Sequence, residues 1–247
     1  MISSGYTALL PIMPVVEKYR DRGPVDVSGS FSTEELVGKS VVITGGANGL
    51  GKAYVQAFVD AGAFVTIGDI DETLGKEAAS ALPGKVQFVK CDVRKWEEQV
   101  SLFEAASKFS LHGGCDIVIA NAGIVGEDDL FRLDGKISCS LNEDHDLTAN
   151  DFIDPNKPPI KPDLSILDVD LIGMLYTTKL AFHYFRRQPV ERYRDRCLIL
   201  ISSIAAYVDQ PGTPQYNVAK WGTRALMRNL RRTAWKESIR INLVAPW

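Results

Sequence analysis

Short apolar runs alternate along this chain with longer segments whose apolar positions recur at helical spacing. Val41-Val42-Ile43, Phe64–Asp69, Val86–Val93, Asp116–Ala120, Arg196–Ser202 and Arg240–Ala245 are mostly apolar and rich in β-branched residues. Such runs read as strands buried on both faces. Between them lie segments that read as helices. Lys52–Ala61 carries Ala53, Ala57 and Ala61 on one side, and Asp71–Leu82 is closed by Pro83-Gly84. Lys95–Phe109 groups Val100, Phe103 and Ala106 on one side, and Leu164–Phe185 and Gln215–Trp235 are longer. Strand and helix in alternation predict an α/β fold, a doubly wound parallel sheet of six strands covered on both faces.

Two stretches break the alternation. Residues 1–31, with Pro11, Pro14 and Pro24, read as an N-terminal arm before a domain at 32–247. Residues 124–163 turn acidic and proline-rich, through Glu127-Asp128-Asp129, Asn142-Glu143-Asp144 and Asp154–Pro159. A connection this long inside a compact domain is uncommon. Its acidic run reads as a solvated face.

Composition narrows the class. With 45% hydrophobic residues, 24% charged and a net charge of −3, a sizeable core fits, and neither nucleic acid nor an anionic membrane is an expected partner. The apolar patch Ala8–Val16 is short, broken by two prolines and preceded by no basic residue, so neither a secretory leader nor a membrane span is expected. Cys91, Cys115, Cys139 and Cys197 form no Cys-x-x-Cys pair. They read as reduced thiols of a cytoplasmic protein, ahead of disulfides or a metal site.

The candidate chemistry begins at Gly45-x-x-x-Gly49-x-Gly51, between the first strand and the first helix. Glycines there let the backbone bend sharply and approach a pyrophosphate, and the helix start offers N–H groups and a positive dipole end. A glycine loop alone is equally a plain turn. Context adds Asp69, at the end of the second strand and 18 residues past Gly51, near the spacing of a carboxylate that binds ribose hydroxyls. In a parallel sheet all strands end on one rim, which would gather Gly45, Asp69, Asp92, Asn121 and Ser203. Tyr216 and Lys220 lie one helical turn apart, so they share a face. An ammonium beside a phenol favours the phenolate, so Tyr216 can exchange a proton with a substrate oxygen. Taken alone, that pair is a surface contact on a helix, and Ser202 and Ser203 are turn formers.

Taken together, Thr44-Gly45-x-x-x-Gly49-x-Gly51, Asp92-Val93, Asn121-Ala122-Gly123, Ser203 and Tyr216-x-x-x-Lys220 occur in order over residues 36–247. The set resembles the short-chain dehydrogenase/reductase family in its single-domain, Rossmann-like branch. Leu175–Ala181 and Tyr216–Gly222 look like fungal secondary-metabolite members similar to hydroxyaverantin dehydrogenase. The resemblance implies an NAD(P)-dependent oxidoreductase acting on a secondary alcohol or ketone. It makes Tyr216 the general acid–base, with Lys220 acting on Tyr216 and on the nicotinamide ribose, and Ser203 on the substrate oxygen. It places Gly45, Asn48, Gly49, Leu50 and Gly51 at the pyrophosphate, Asp92 and Val93 at the adenine, and Asn121, Ala122 and Gly123 beside the cofactor. Asp69 would repel a 2′-phosphate, and no basic residue stands at Ala47–Leu50 or in the two positions after Asp69, so NAD is expected over NADP. No metal is expected.

Two departures stand out. Val169-Asp170-Leu171-Ile172-Gly173 places Asp170 where the family usually has an Asn, which predicts reduced or pH-shifted turnover. The chain ends at Trp247, where the family usually continues through a final strand and a substrate-covering lobe. Both leave a rival reading, a non-catalytic dinucleotide-binding or scaffold protein of the same fold. A third reading, a sugar-nucleotide epimerase, needs a substrate domain absent here. Family members pair through the two long helices, so a homodimer or homotetramer is expected.

Overall fold

Strands in which nearly every residue is apolar are hidden only between two layers of helices. In the computed structural model, six strands form one parallel sheet: β1 (Ser40–Thr44), β2 (Phe64–Asp69), β3 (Val86–Lys90), β4 (Ile117–Ala120), β5 (Arg196–Ile201) and β6 (Ile239–Val244). Their order is β3-β2-β1-β4-β5-β6, which reverses direction between β1 and β4. The structure describes residues 29, 31–126, 128, 130, 158–188 and 196–247. Most of the arm expected over 1–31, most of the connection at 124–163, and Cys139 lie outside the described residues.

The helices are α1 (Gly49–Asp60), α2 (Glu72–Ala81), α3 (Trp96–Phe109), α4 (Ser165–Leu167), α5 (Met174–Arg186) and α6 (Pro214–Ala234). Alternate residues of each strand feed opposite layers. Val41 and Ile43 face a core with Val55 of α1 and Ala78 of α2. Val42, between them, faces the other core with Leu102 and Phe103 of α3, Leu180 and Phe185 of α5, and Met227 of α6. Burying side chains such as Phe103 and Phe185 stabilises the fold by roughly 1.5–3 kcal/mol each.

Several boundaries differ from the expectation, each for a local reason. The third strand stops at Lys90 rather than Val93. Its partner β2 ends at Asp69, whose carbonyl accepts from Cys91 N, and Asp92 N turns instead to the Glu98 carboxylate at 2.7 Å. In α1 the alanine side is not the buried one. Ala53 and Ala57 are exposed, and the helix instead buries Gly51 and Val55. The helix expected at Leu164–Phe185 runs from Ser165 to Arg186 but is not α-helical throughout. Asp168–Gly173 form a π-helical turn between α4 and α5. Asp128, expected on a solvated face, is 4% exposed, because its carboxylate accepts from Gln215 N at the start of α6. Cys91, Cys115 and Cys197 are buried, and burial pushes the Cys91 thiol up to about 12.

Candidate active site

The rim formed by the carboxyl ends of the strands opens into a cavity of about 740 Å3. The turn from β1 into α1 forms its floor. Gly45 has φ 66° and Gly49 φ 54°, a region open to glycine and strained for most other residues. A Cβ on Gly51 would stand 1.9 Å from the Gly45 carbonyl oxygen, so the turn closes only around a bare backbone. A Cβ on Gly49 meets nothing within 4 Å, since that residue faces open space. Asn48 caps α1 through its side chain, which accepts from Gly49 N at 2.8 Å. Lys52 N is the first donor of the helix ladder, reaching Asn48 O at 3.1 Å. The N–H groups ahead of it have no acceptor within the helix. That cradle, at the positive end of a helix dipole, fits a pyrophosphate.

Asp69 ends β2 with its carboxylate turned back to the same bend. Oδ2 accepts from Ala47 N at 2.9 Å and Oδ1 from Asp71 N at 3.0 Å. Each oxygen keeps a further lone pair for an outside donor such as a ribose hydroxyl. Asp92 is clasped by Arg94, whose Nε and Nη2 reach its two carboxylate oxygens at 2.8–3.2 Å. That guanidinium holds the Asp92 carboxyl below the usual range. Asn121 braces the bend from β4. Its Nδ2 donates to the carbonyls of Thr44 and Gly45 at 3.0 and 2.9 Å, while the Thr44 hydroxyl accepts from Asn121 N and Ala122 N.

Polar side chains that follow β5 and begin α6 also line the cavity. Ser203 follows β5 and caps the short turn Ile204–Ala206. Tyr216 lies in the first turns of α6, which begins at Pro214, and the Lys220 ammonium stands 5.2 Å from its ring centroid. Lys220 is bound to Asp170 at 2.8 Å, both side chains at 5% exposure or less. The second Asp170 oxygen accepts from Ile124 N at 2.7 Å. Burial pushes the Asp170 carboxyl up, while the charge and hydrogen bonding of Lys220 pull it down.

Every residue given a catalytic or cofactor-binding role in the sequence reading lines this one cavity. Gly45, Asn48, Gly49, Leu50, Gly51 and Asp69 are among its lining, and so are Asp92, Val93, Asn121, Ala122 and Gly123. Asp170, Ser203, Tyr216 and Lys220 line it too. Sequence reading passed over Arg94 and Ile124, and took Thr44 only as part of the glycine motif. Arg94 two places after an aspartate, and Thr44 closing a strand, carried a faint signal. The Ile124 N–H carried none, since its partner is 46 residues away.

The family model described as short chain dehydrogenase matches residues 39–247. A 5'-hydroxyaverantin dehydrogenase of Dothistroma septosporum is 36% identical over 230 residues, spanning 90% of this chain and 69% of its own. A 5'-hydroxyaverantin dehydrogenase of Emericella nidulans is 33% identical over 231 residues, with 91% and 70% covered. An NADP-dependent dehydrogenase of Cochliobolus lunatus is 30% identical over 219 residues, with 85% and 71% covered. The structure of a 3-ketoacyl-(acyl-carrier-protein) reductase from Brucella melitensis, complexed with NADH, superimposes with a TM-score of 0.68 at 22% identity, over 85% of this chain and 76% of that one.

Proposed function

This chain belongs to the short-chain dehydrogenase family, and we propose that it moves a hydride between NAD(H) and a secondary alcohol or ketone, with Tyr216 as general acid–base. It is an oxidoreductase acting on CH–OH groups. The observation that carries the fuller reading is that the glycine bend and Tyr216 open onto one cavity that Ser203 and Lys220 also line, with the Lys220 ammonium 5.2 Å from the Tyr216 ring centroid. A nicotinamide dinucleotide, when bound, supplies the hydride acceptor or donor. In oxidation, Tyr216 takes the alcohol proton as the carbinol hydrogen leaves as hydride. In reduction it returns a proton to the carbonyl oxygen. Ser203 offers a hydroxyl to that oxygen. Lys220, fixed by Asp170, sets positive charge beside the phenol and within reach of a ribose.

NAD is the favoured cofactor in this reading because of Asp69. A carboxylate at that point accepts from ribose hydroxyls and repels a 2′-phosphate. Of the two cations on the same cavity, Arg94 is already clasped to Asp92 and Lys220 to Asp170. The substrate reading draws on the two relatives named for 5'-hydroxyaverantin and on apolar residues at the catalytic end, including Ile124 and Val125. A homodimer or homotetramer is proposed from apolar residues left exposed along the π turn, α5 and α6, namely Ile172, Leu175, Val218 and Trp221. Among the described residues, no helix is long and apolar enough to cross a membrane.

The test is NADH formation with a panel of secondary alcohols that begins with 5'-hydroxyaverantin, run beside Tyr216→Phe. Tyr216→Phe is expected to cut kcat by about 100-fold or more. A Phe variant with full activity would remove Tyr216 from the mechanism. In the same panel, NADP replacing NAD as the better cofactor would overturn the role given to Asp69.

A further inference from the structure

Gln99 lies outside the cavity, yet it ties two of its walls together. It sits in the first turn of α3 with no exposed surface. Its side-chain amide donates to Val93 O at 2.6 Å and to Gly173 O at 2.9 Å. Val93 follows Asp92 on the cavity wall. Gly173 closes the π turn that carries Asp170. A primary amide has two N–H groups, and here each goes to a different wall. The Gln99 Oε1 accepts from the Thr177 hydroxyl at 2.8 Å, and that hydroxyl also lies 3.0 Å from Gly173 O, so one proton is shared between two acceptors.

The reason for this arrangement is local. A π turn departs from the regular i→i−4 ladder, and its carbonyls look for other donors. A buried carbonyl left without one is costly, about 1–3 kcal/mol. Gln99 and Thr177 supply the donors at Gly173. The contact is also close: a Cβ on Gly173 would stand 2.8 Å from a Val93 methyl. The π turn is therefore held to the Val93 wall by a side chain from another helix, and it presents Asp170 to Lys220 and to Ile124 N.

We propose that Gln99 is a positioning residue for the reaction, holding the π turn so that Asp170 engages Lys220 and Ile124 together. The proposal rests on the functional reading of Lys220 and Tyr216 given above. Gln99 touches neither substrate nor cofactor in it and acts only through Asp170.

Gln99→Leu keeps the bulk and removes both donors, and Thr177→Val removes only the hydroxyl. The first measurement is amide exchange at Ile124 in the protein without cofactor. Exchange is expected about tenfold faster in Gln99→Leu, as in Asp170→Ala, with a smaller rise in Thr177→Val. The second is kcat, expected to fall about tenfold in Gln99→Leu and to fall no further when Asp170→Ala is already present. Ile124 exchange at the wild-type rate in Gln99→Leu overturns the proposal. So does a kcat loss that persists in full on the Asp170→Ala background, the mark of general loosening. If Gln99→Leu does not fold, Thr177→Val carries both comparisons. Failure of the functional reading looks different: Tyr216→Phe keeps its activity while the exchange result at Ile124 stands.

Discussion

At Asp170 one carboxylate holds a lysine of α6 and a backbone N–H of the segment after β4. A buried ion pair contributes little net stability, but breaking one by removing a partner is costly. Asp170→Asn keeps an acceptor for Ile124 N and removes the charge opposite Lys220. The sign of its pH effect follows from burial. The folded carboxyl is raised above its ordinary range, so the ionised form that pairs with Lys220 is present above that raised value and is lost as pH falls through it. Wild type should therefore lose turnover on acidification through a group that the Asn variant lacks. The variant's kcat profile is expected to be flatter on its acid side, and superimposable profiles would defeat the idea. This residue was visible in the sequence because it breaks a pattern. The glycines were visible because sterics leave no choice: only a bare backbone fits 1.9 Å from the Gly45 carbonyl. Gln99 was invisible, since an interior glutamine on an amphipathic helix announces no partner.

Among elements, α6 matters most to the chemistry, and its start is fastened from elsewhere. Pro214 at the first position has no N–H, and Thr213 makes no side-chain cap. Asp128, 87 residues earlier, accepts from Gln215 N at 2.6 Å, and the Gln215 amide reaches Asp163 O at 2.8 Å. Asp128 thus serves as a borrowed cap at the positive end of the helix. Asp128→Ala is expected to lower unfolding free energy by about 1–2 kcal/mol in a urea titration, and an unchanged midpoint would rule the cap out. The helix itself was plain from its spacing, and so were the strands, whose unbroken apolar runs leave a buried parallel sheet as the natural reading. The cap was not, because three acids in a row within a long acidic connection look like solvent-facing loop. The third strand was read too long for a related reason. Val86–Val93 still has Cys91 and Val93 beyond Lys90, and only the length of its neighbour β2 says where pairing stops.

For the whole molecule, the parallel sheet does the gathering: residues spread from Gly45 to Lys220 meet because every strand ends on the same side. Assembly is the property the sequence left most open, since apolar positions on α5 and α6 serve a core and an interface alike. Trp221 at 46% and Val218 at 55% exposure favour a mating surface. Trp221→Glu is expected to shift the sedimentation of the protein toward the monomer, and an unshifted profile would send the interface elsewhere. The π turn joins these scales. Its neighbours α4 and α5 run on without a break, so one rod of chain both fills the core with Phe185 and serves the cavity with Asp170. A π turn amounts to one residue inserted into an α-helix, and each residue rotates the rod by roughly 100°. Excising a single residue between Asp170 and Met174 would give a more regular helix, yet it would swing the carboxylate about a quarter of a revolution out of phase with the core. The irregularity is what lets the two ends of that helix keep separate alignments.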